Sequence, residues 1–230
     1  MKRSEINQAI RRMERLAAVH GFPLPPFCGW TPKEWEGRGS EYDEIRENLL
    51  GWDVTDYGLG DFSKTGFTLI TLRNGNVNIP ERWPKPYAEK LLMLEEGQYS
   101  PMHFHWNKME DIINRGGGSV FIRVYNATPQ DAFAGTEVSV YKDGRVFLVP
   151  AGTQVRLDPG ESISIYPRLY HEFEVVPGTG AVLLGEVSMC NDDKHDNRFY
   201  ESMGRFPEIE EDEPPYRLLC TEYPMAKAEV

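Results

Sequence analysis

Cysteine, histidine and positive charge are all scarce in this 230-residue chain. The three cysteines, Cys28, Cys190 and Cys220, are odd in number, far apart and in no CxxC spacing. That excludes a disulfide framework and a zinc knuckle, and the cysteines read as free thiols of a reducing, cytoplasmic compartment. Lysine and arginine together number 25 against 36 acidic residues, a formal net charge of −11. Phosphate neutralisation needs a basic face, so no nucleic-acid partner is expected. Long apolar runs are missing as well. Nothing approaches the roughly 20 residues of a membrane span, and the N-terminal MKRSEINQAIRRMERL has no apolar stretch like that of a signal peptide. The triplet Gly116-Gly117-Gly118 reads as a tight turn and not a phosphate loop, because no Lys-Ser/Thr pair or helix follows it.

What is present divides into two textures. In residues 4–20, Ile6, Ile10, Met13, Leu16 and Ala17 fall on one helical stripe, with Ser4 as the expected cap and Gly21 with Pro23 as the stop. TPKEWEGRG reads as a second helix opened by Thr31-Pro32. SEYDEIRENLLGWDV reads as a third, capped by Ser40 and ended by Gly51. Beyond that point the chain breaks into short β-rich runs separated by turn signals at 74–75, 143–144, 159–160 and 177–178. The expectation is seven or eight strands with no helix between them, hence an antiparallel sandwich or barrel. Residues past 191 read as an irregular tail, and its acidic stretch PEIEEDEPPY as a solvated surface loop.

Chemistry concentrates where two of the five histidines sit one residue apart. On a strand, His103 and His105 share one face and Phe104 takes the other. Glu110 follows after a short gap, and His171 opens another strand. Three imidazoles and a carboxylate form an N/O donor set that suits Mn²⁺, Fe²⁺, Co²⁺, Ni²⁺ or Zn²⁺ without choosing among them. Lys90 precedes the HFH strand, Lys108 sits inside the motif, and Glu186 interrupts an apolar strand on the face shared by Leu184 and Ser188. These are the candidate proton-transfer groups, together with Glu110. Trp83, Lys90, Trp106, Asp193 and Arg198 are candidate sugar contacts, the last two from the polar NDDKHDNRF segment that follows a strand. The residues alone leave three readings open: a metal-dependent isomerase, an Fe²⁺ dioxygenase, and a non-catalytic sugar- or metal-binding module.

The spacing from Gly97 through His103, His105 and Glu110 to Gly117 resembles the first conserved motif of the cupins in full. The second motif is met in part, through Pro167 followed by His171. Over most of its length the chain resembles the D-lyxose isomerase family, most specifically in EKLLMLEEGQYSPMHFHWNKMEDI and in the EVSxxND…DNRF block. The resemblance implies a mainly β cupin jelly-roll barrel with N-terminal helices and an irregular C-terminal tail. It divides into a helical segment 1–52, a barrel 53–190 and an extension 191–230 within one domain. It also implies a metal centre of His103, His105, Glu110 and His171 holding Mn²⁺ and a reaction converting D-lyxose to D-xylulose, with D-mannose and D-fructose as a second pair. The expected assembly is a homodimer, because strand edges favour pairing.

Overall fold

The helical stripe near the N-terminus is laid on a sheet. The computed structural model describes residues 1–192, 195–204 and 207–226. α1 (Arg3–Val19) buries Ile6, Ile10, Met13 and Ala17, the face its spacing predicts. Ser4 does not cap it. Lys2 holds the cap position, its N–H bound by Glu5 at 2.9 Å. The Ser4 hydroxyl is drawn instead to Asp212 (2.7 Å), an acid from the far end of the chain at the positive end of the helix dipole. α2 (Pro32–Trp35) has the expected Thr31 cap, reciprocated by Glu34. α3 (Asp43–Glu47) is shorter than expected, and Gly51 opens a strand where a helix end was predicted. Gly51 has φ +105, and a Cβ there would meet the Tyr223 hydroxyl at 1.9 Å. The following Trp-Asp-Val-Thr is buried on both faces, its polar Asp53 and Thr55 included.

Thirteen strands form among the described residues: β1 (Gly51–Thr55), β2 (Phe67–Arg73), β3 (Tyr87–Leu94), β4 (Tyr99–His105), β5 (Glu110–Gly117), β6 (Val120–Asn126), β7 (Val138–Lys142), β8 (Arg145–Val149), β9 (Gln154–Leu157), β10 (Ser162–Ile165), β11 (Leu169–Val175), β12 (Val182–Met189) and β13 (Asn197–Phe199). The expected seven or eight were too few: two of the β-rich runs each contain two strands, and β1, β5 and β13 lie outside those runs. TEVSVYKDGRVFLVP folds into a β7–β8 hairpin whose Asp143-Gly144 turn has both φ angles positive. TQVRLDPGESISIYP breaks at Pro159-Gly160, and its halves join different sheets.

Eight strands run in the order β1-β2-β3-β12-β5-β10-β7-β8 and five in the order β13-β4-β11-β6-β9, with all pairings antiparallel. This is the mainly β, two-sheet jelly roll that the sequence leads one to expect. The inner faces meet in a core that includes Leu92, Ile112, Ile122, Ile163, Phe173 and Leu184. α1 covers the outer face of the larger sheet over Ile70, Leu91, Met93 and Leu183. Buried side chains of this size each contribute about 1.5–3 kcal/mol, so the helix is a second core layer.

The acidic stretch is the exposed surface loop expected of it, and it is tethered. Glu211 and Glu222 both bind the Arg3 guanidinium, Asp212 takes Ser4, and Glu213 accepts from Asn7 at 2.5 Å. The C-terminal segment thus clamps the start of α1. No helix among the described residues is long and apolar enough to cross a membrane.

Candidate metal centre and acid–base site

Strand alternation fills most of the barrel with aliphatic side chains and leaves polar ones at one end. β4 brings His103 and His105 inward, while Phe104 is fully buried on the outer face between Tyr170 and Trp106, each at a ring distance of 4.8 Å. β11 places His171 opposite His103. The three rings lie with centroids 4.2 to 5.6 Å apart. Each Nδ1 meets a main-chain carbonyl: Pro101 for His103 (2.8 Å), Asp196 for His105 (3.3 Å) and Leu169 for His171 (3.0 Å). A carbonyl only accepts, so each Nδ1 carries the proton and each Nε2 keeps its lone pair. Burial holds the His103 imidazole well below its ordinary value, and it lowers that of His105 as well.

Glu110, the first residue of β5, completes the group. Its Oε1 lies 3.2 Å from His171 Nε2 and its Oε2 lies 3.4 Å from His105 Nε2. Although His171 Nε2 is near that carboxylate, it is buried and has no partner in hydrogen-bond geometry. One ligand atom from each histidine falls within 4.8 Å of the others. An orphaned buried imidazole nitrogen facing two more lone pairs and a carboxylate fits a divalent cation, which would satisfy all four at once.

A second set of charges adjoins the first. β12 lies between β3 and β5, and this puts Glu186 in register with Lys90 on one side and Ile112 on the other. Lys108 Nζ sits 2.7 Å from Glu110 Oε2 and 3.0 Å from Glu186 Oε1, and Lys90 Nζ sits 3.4 Å from the same Glu186 oxygen. Ser188 donates to that oxygen at 3.1 Å. Burial alone would push both carboxyls up. Lys108 reverses this at Glu110 and holds it well below the usual range, and Lys108 with Lys90 lowers Glu186. Both are therefore buried carboxylates that stay ionised.

These residues border a cavity of about 50 Å³, whose opposite wall is apolar and includes Phe67, Leu69, Leu92 and Phe173. On the far side of Asn191 lies a larger cavity of about 240 Å³, lined by Asn48, Asp53, Asn74 and His195 among others. The larger one holds none of the clustered histidines or lysines, so the candidate site is the smaller.

The structure therefore brings together His103, His105, Glu110, His171, Lys90, Lys108 and Glu186. It does not bring in the other candidates. Trp83 is tied to Glu47 through its indole N–H (2.8 Å) and does not line the cavity. Trp106 lies on the outer face, edge-on to Phe104 and 5.2 Å from the Arg168 guanidinium. Arg198 pairs with Phe104 in the β13–β4 ladder and shares its outer face, donating to the Phe199 carbonyl. Asp193 lies outside the described residues. Sequence reasoning missed Asn197 and Phe199, which stand opposite His105 and His103 and face inward. It also missed Asn191, whose Oδ1 accepts from Lys90 (2.7 Å) and Lys108 (3.4 Å). The polar NDDKHDNRF segment did carry the signal for all three, but not its phase.

A family model described as D-lyxose isomerase matches residues 1–223. The chain is 46% identical over 224 residues to a D-lyxose/D-mannose isomerase of Serratia proteamaculans, covering 97% of this chain and 98% of that one. It is 44% identical over 225 residues to a D-lyxose/D-mannose isomerase of Escherichia coli O157:H7, with the same coverage. Among solved structures it resembles the ligand-free L-ribose isomerase of Cellulomonas parahominis, with a TM-score of 0.55 at 16% identity over 88% of this chain and 93% of that one. The L-ribose isomerase of Acinetobacter sp. DL28 bound to L-ribose gives the same TM-score at 14% identity, over 90% of this chain and 98% of that one. At that identity the likeness establishes a common cupin fold and nothing about substrate. The sequence relatives go further: with near-complete coverage on both sides, they and the family model place this chain among the sugar isomerases, as a member of the D-lyxose isomerase family.

Proposed function

We propose that the protein is a metal-dependent aldose–ketose isomerase that interconverts D-lyxose and D-xylulose, with D-mannose and D-fructose as a second pair. The observation that carries this is Lys108. Its ammonium joins the carboxylate of the histidine cluster to a second buried carboxylate, so a cation site and an acid–base pair share one small cavity. His103, His105, Glu110 and His171 would hold the divalent cation, with Mn²⁺ as the assigned metal. When bound, that cation supplies Lewis-acid polarisation of the sugar carbonyl and a grip on its vicinal oxygens.

The chain's own groups move the protons. Glu186, kept ionised by Lys108 and Lys90, takes the C2 proton of the aldose, and Lys108 Nζ gives a proton to O1. The product of that step is a cis-enediol. Lys108 then recovers a proton from O2 as the carbonyl forms there, and Glu186 returns its proton to C1, so both groups end as they began. The proton held by Glu186 exchanges with solvent during the lifetime of the enediol. Lys90 and Asn197 are assigned to sugar hydroxyls. The apolar side chains exposed around edge strand β8, Val146 and Leu148 with Tyr141 and Tyr166, support a homodimer.

The test is conversion of D-lyxose by protein reconstituted with Mn²⁺ in D₂O. Deuterium at C1 of the xylulose is expected. Absence of any pentose or hexose conversion sinks the reading, and conversion without deuterium sinks the enediol route in favour of a hydride shift.

A further inference from the structure

The turn between β4 and β5 carries Lys108, and it is held by a residue far away in sequence. Asp196, buried just ahead of β13, has one carboxylate oxygen bound by the Asn107 main-chain N–H (2.8 Å) and by Asn107 Nδ2 (3.0 Å). The other oxygen accepts from the Lys108 main-chain N–H at 2.9 Å. Its own carbonyl accepts from Trp106 N–H (3.3 Å) and from His105 Nδ1 (3.3 Å). Asp196 thus addresses four consecutive residues, and its two ends divide the work. The main-chain end serves the histidine and the strand end, while the side chain serves the two residues that lead to the lysine.

Lysine has a flexible four-carbon stem, so its ammonium is found at one place only if its main chain is fixed. The Lys108 ammonium must reach Glu110 at 2.7 Å and Glu186 at 3.0 Å together. We propose that Asp196 is the positioning residue for Lys108: its carboxylate fixes the 106–108 turn so that the ammonium spans the two glutamates. The proposal rests on the assignment of Lys108 as the proton donor of the isomerisation. Because the His105 contact is made by main chain, removing the side chain leaves the metal-ligating face anchored. Misplacing a reacting group by about 1 Å costs on the order of 100-fold in rate.

The experiment compares Asp196→Ala, Asp196→Asn and Asp196→Glu with the parent. Three readouts are taken: Mn²⁺ binding to metal-free protein by calorimetry, kcat and KM on D-lyxose, and deuterium uptake of the 106–109 amides in metal-free protein. Asp196→Ala is expected to lose kcat by about 30- to 100-fold, to keep KM and Mn²⁺ affinity within about threefold, and to exchange its 106–109 amides faster. Asp196→Asn restores most of kcat, since its amide oxygen still accepts from Lys108 N–H. Parent-like kcat in Asp196→Ala overturns the proposal. So does a fall in Mn²⁺ affinity equal to the fall in kcat with no rescue by asparagine, which would mark a general structural role. If Asp196→Ala does not fold, Asp196→Glu decides: the longer acid displaces the turn, and about tenfold lower kcat with intact Mn²⁺ binding is expected, whereas unchanged kcat overturns the proposal. A parent that isomerises no sugar refutes the reaction and not the clasp, which amide exchange then judges alone.

Discussion

Replacing Lys108 by methionine removes a buried cation and nearly keeps its shape, which makes the worth of that cation measurable. The side chains of Lys108 and Glu110 are 3% and 2% exposed. At an effective dielectric of about 20, unit charges at the 2.7 Å of the Glu110 pair attract by about 6 kcal/mol, and at the 3.0 Å of the Glu186 pair by about 5.5 kcal/mol. Those are ceilings, because burying the ammonium itself is costly; breaking a buried pair costs about 3–5 kcal/mol in practice. The two glutamates do not suffer equally. Glu186 keeps Lys90 at 3.4 Å, whereas Glu110 is left with His105 and His171, whose lone pairs face it. In the variant Glu110 therefore takes up a proton more readily than an unfolded glutamate does. The loss is largest at alkaline pH and shrinks as pH falls towards about 4.5, where the unfolded chain is protonated too. Each kcal/mol shifts the midpoint by about 2–4 °C at this chain length, so metal-free Lys108→Met should unfold roughly 10 °C below the parent at pH 8. The gap at pH 5 should be clearly smaller. Thermal unfolding of metal-free protein at the two pH values decides it. Equal midpoints at pH 8, or an equal gap at both, would refute the claim that Lys108 neutralises a buried carboxylate.

Three further outcomes follow from the same geometry. His171→Ala deletes the orphaned Nε2 and should weaken Mn²⁺ binding by at least about 100-fold in calorimetry, since even partners outside the ligand set cost about 10–100-fold. Unaltered affinity would remove His171 from the ligand set. Burial keeps His103 and His105 neutral below the ordinary 6.5, so the unfolded chain binds protons that the folded one refuses. Metal-free protein should lose stability as pH falls from 7 through about 6.5, and lose more below about 4.5, where the lowered Glu110 and Glu186 contribute; a flat denaturation midpoint between pH 7 and 5 would contradict this. Met13→Ala opens a hole between α1 and the larger sheet and should cost about 2–5 kcal/mol in urea unfolding, with kcat unchanged because α1 does not touch the site.

The legible part of the site is the part whose geometry is local. His103 and His105 share a face because a strand repeats every two residues, and Glu110 follows within one short turn, so the eight residues 103–110 encode most of the cation cradle. Glu186 was legible for the same reason, as a charge on the inward phase of an otherwise apolar strand. What failed was phase without a periodic run. β13 has three residues, too few to show alternation. Chemistry alone favoured Arg198, whereas pairing with β4 turns Asn197 and Phe199 inward and Arg198 out. Trp83 and Trp106 were singled out for their ring faces, and each is occupied elsewhere, by Glu47 in one case and by Phe104 in the other. The acidic stretch is the exposed surface loop its charge predicts, but its tethering was not legible: its partners, Arg3, Ser4 and Asn7, lie some 200 positions away, and no local pattern carries a contact of that range.

The cation cradle and the acid–base pair also differ in how they depend on the fold. The cradle needs β4, β5 and the first turns of β11. The acid–base pair needs sheet order, because Lys90 and Glu186 are 96 positions apart in sequence and meet only because β12 is inserted between β3 and β5. The segment leaving β12 then supplies Asn191 to both lysines, Asp196 to the 106–108 turn and β13 to the edge of β4. Glu186, Asn191 and Asp196 thus hold both lysines in place, while the histidine motif supplies most of the cation cradle and Lys108 itself. A binding module needs the motif alone. A chain that also devotes β12 and the segment after it to fixing two lysines against a carboxylate carries the acid–base groups that the isomerase reading requires and that metal storage does not.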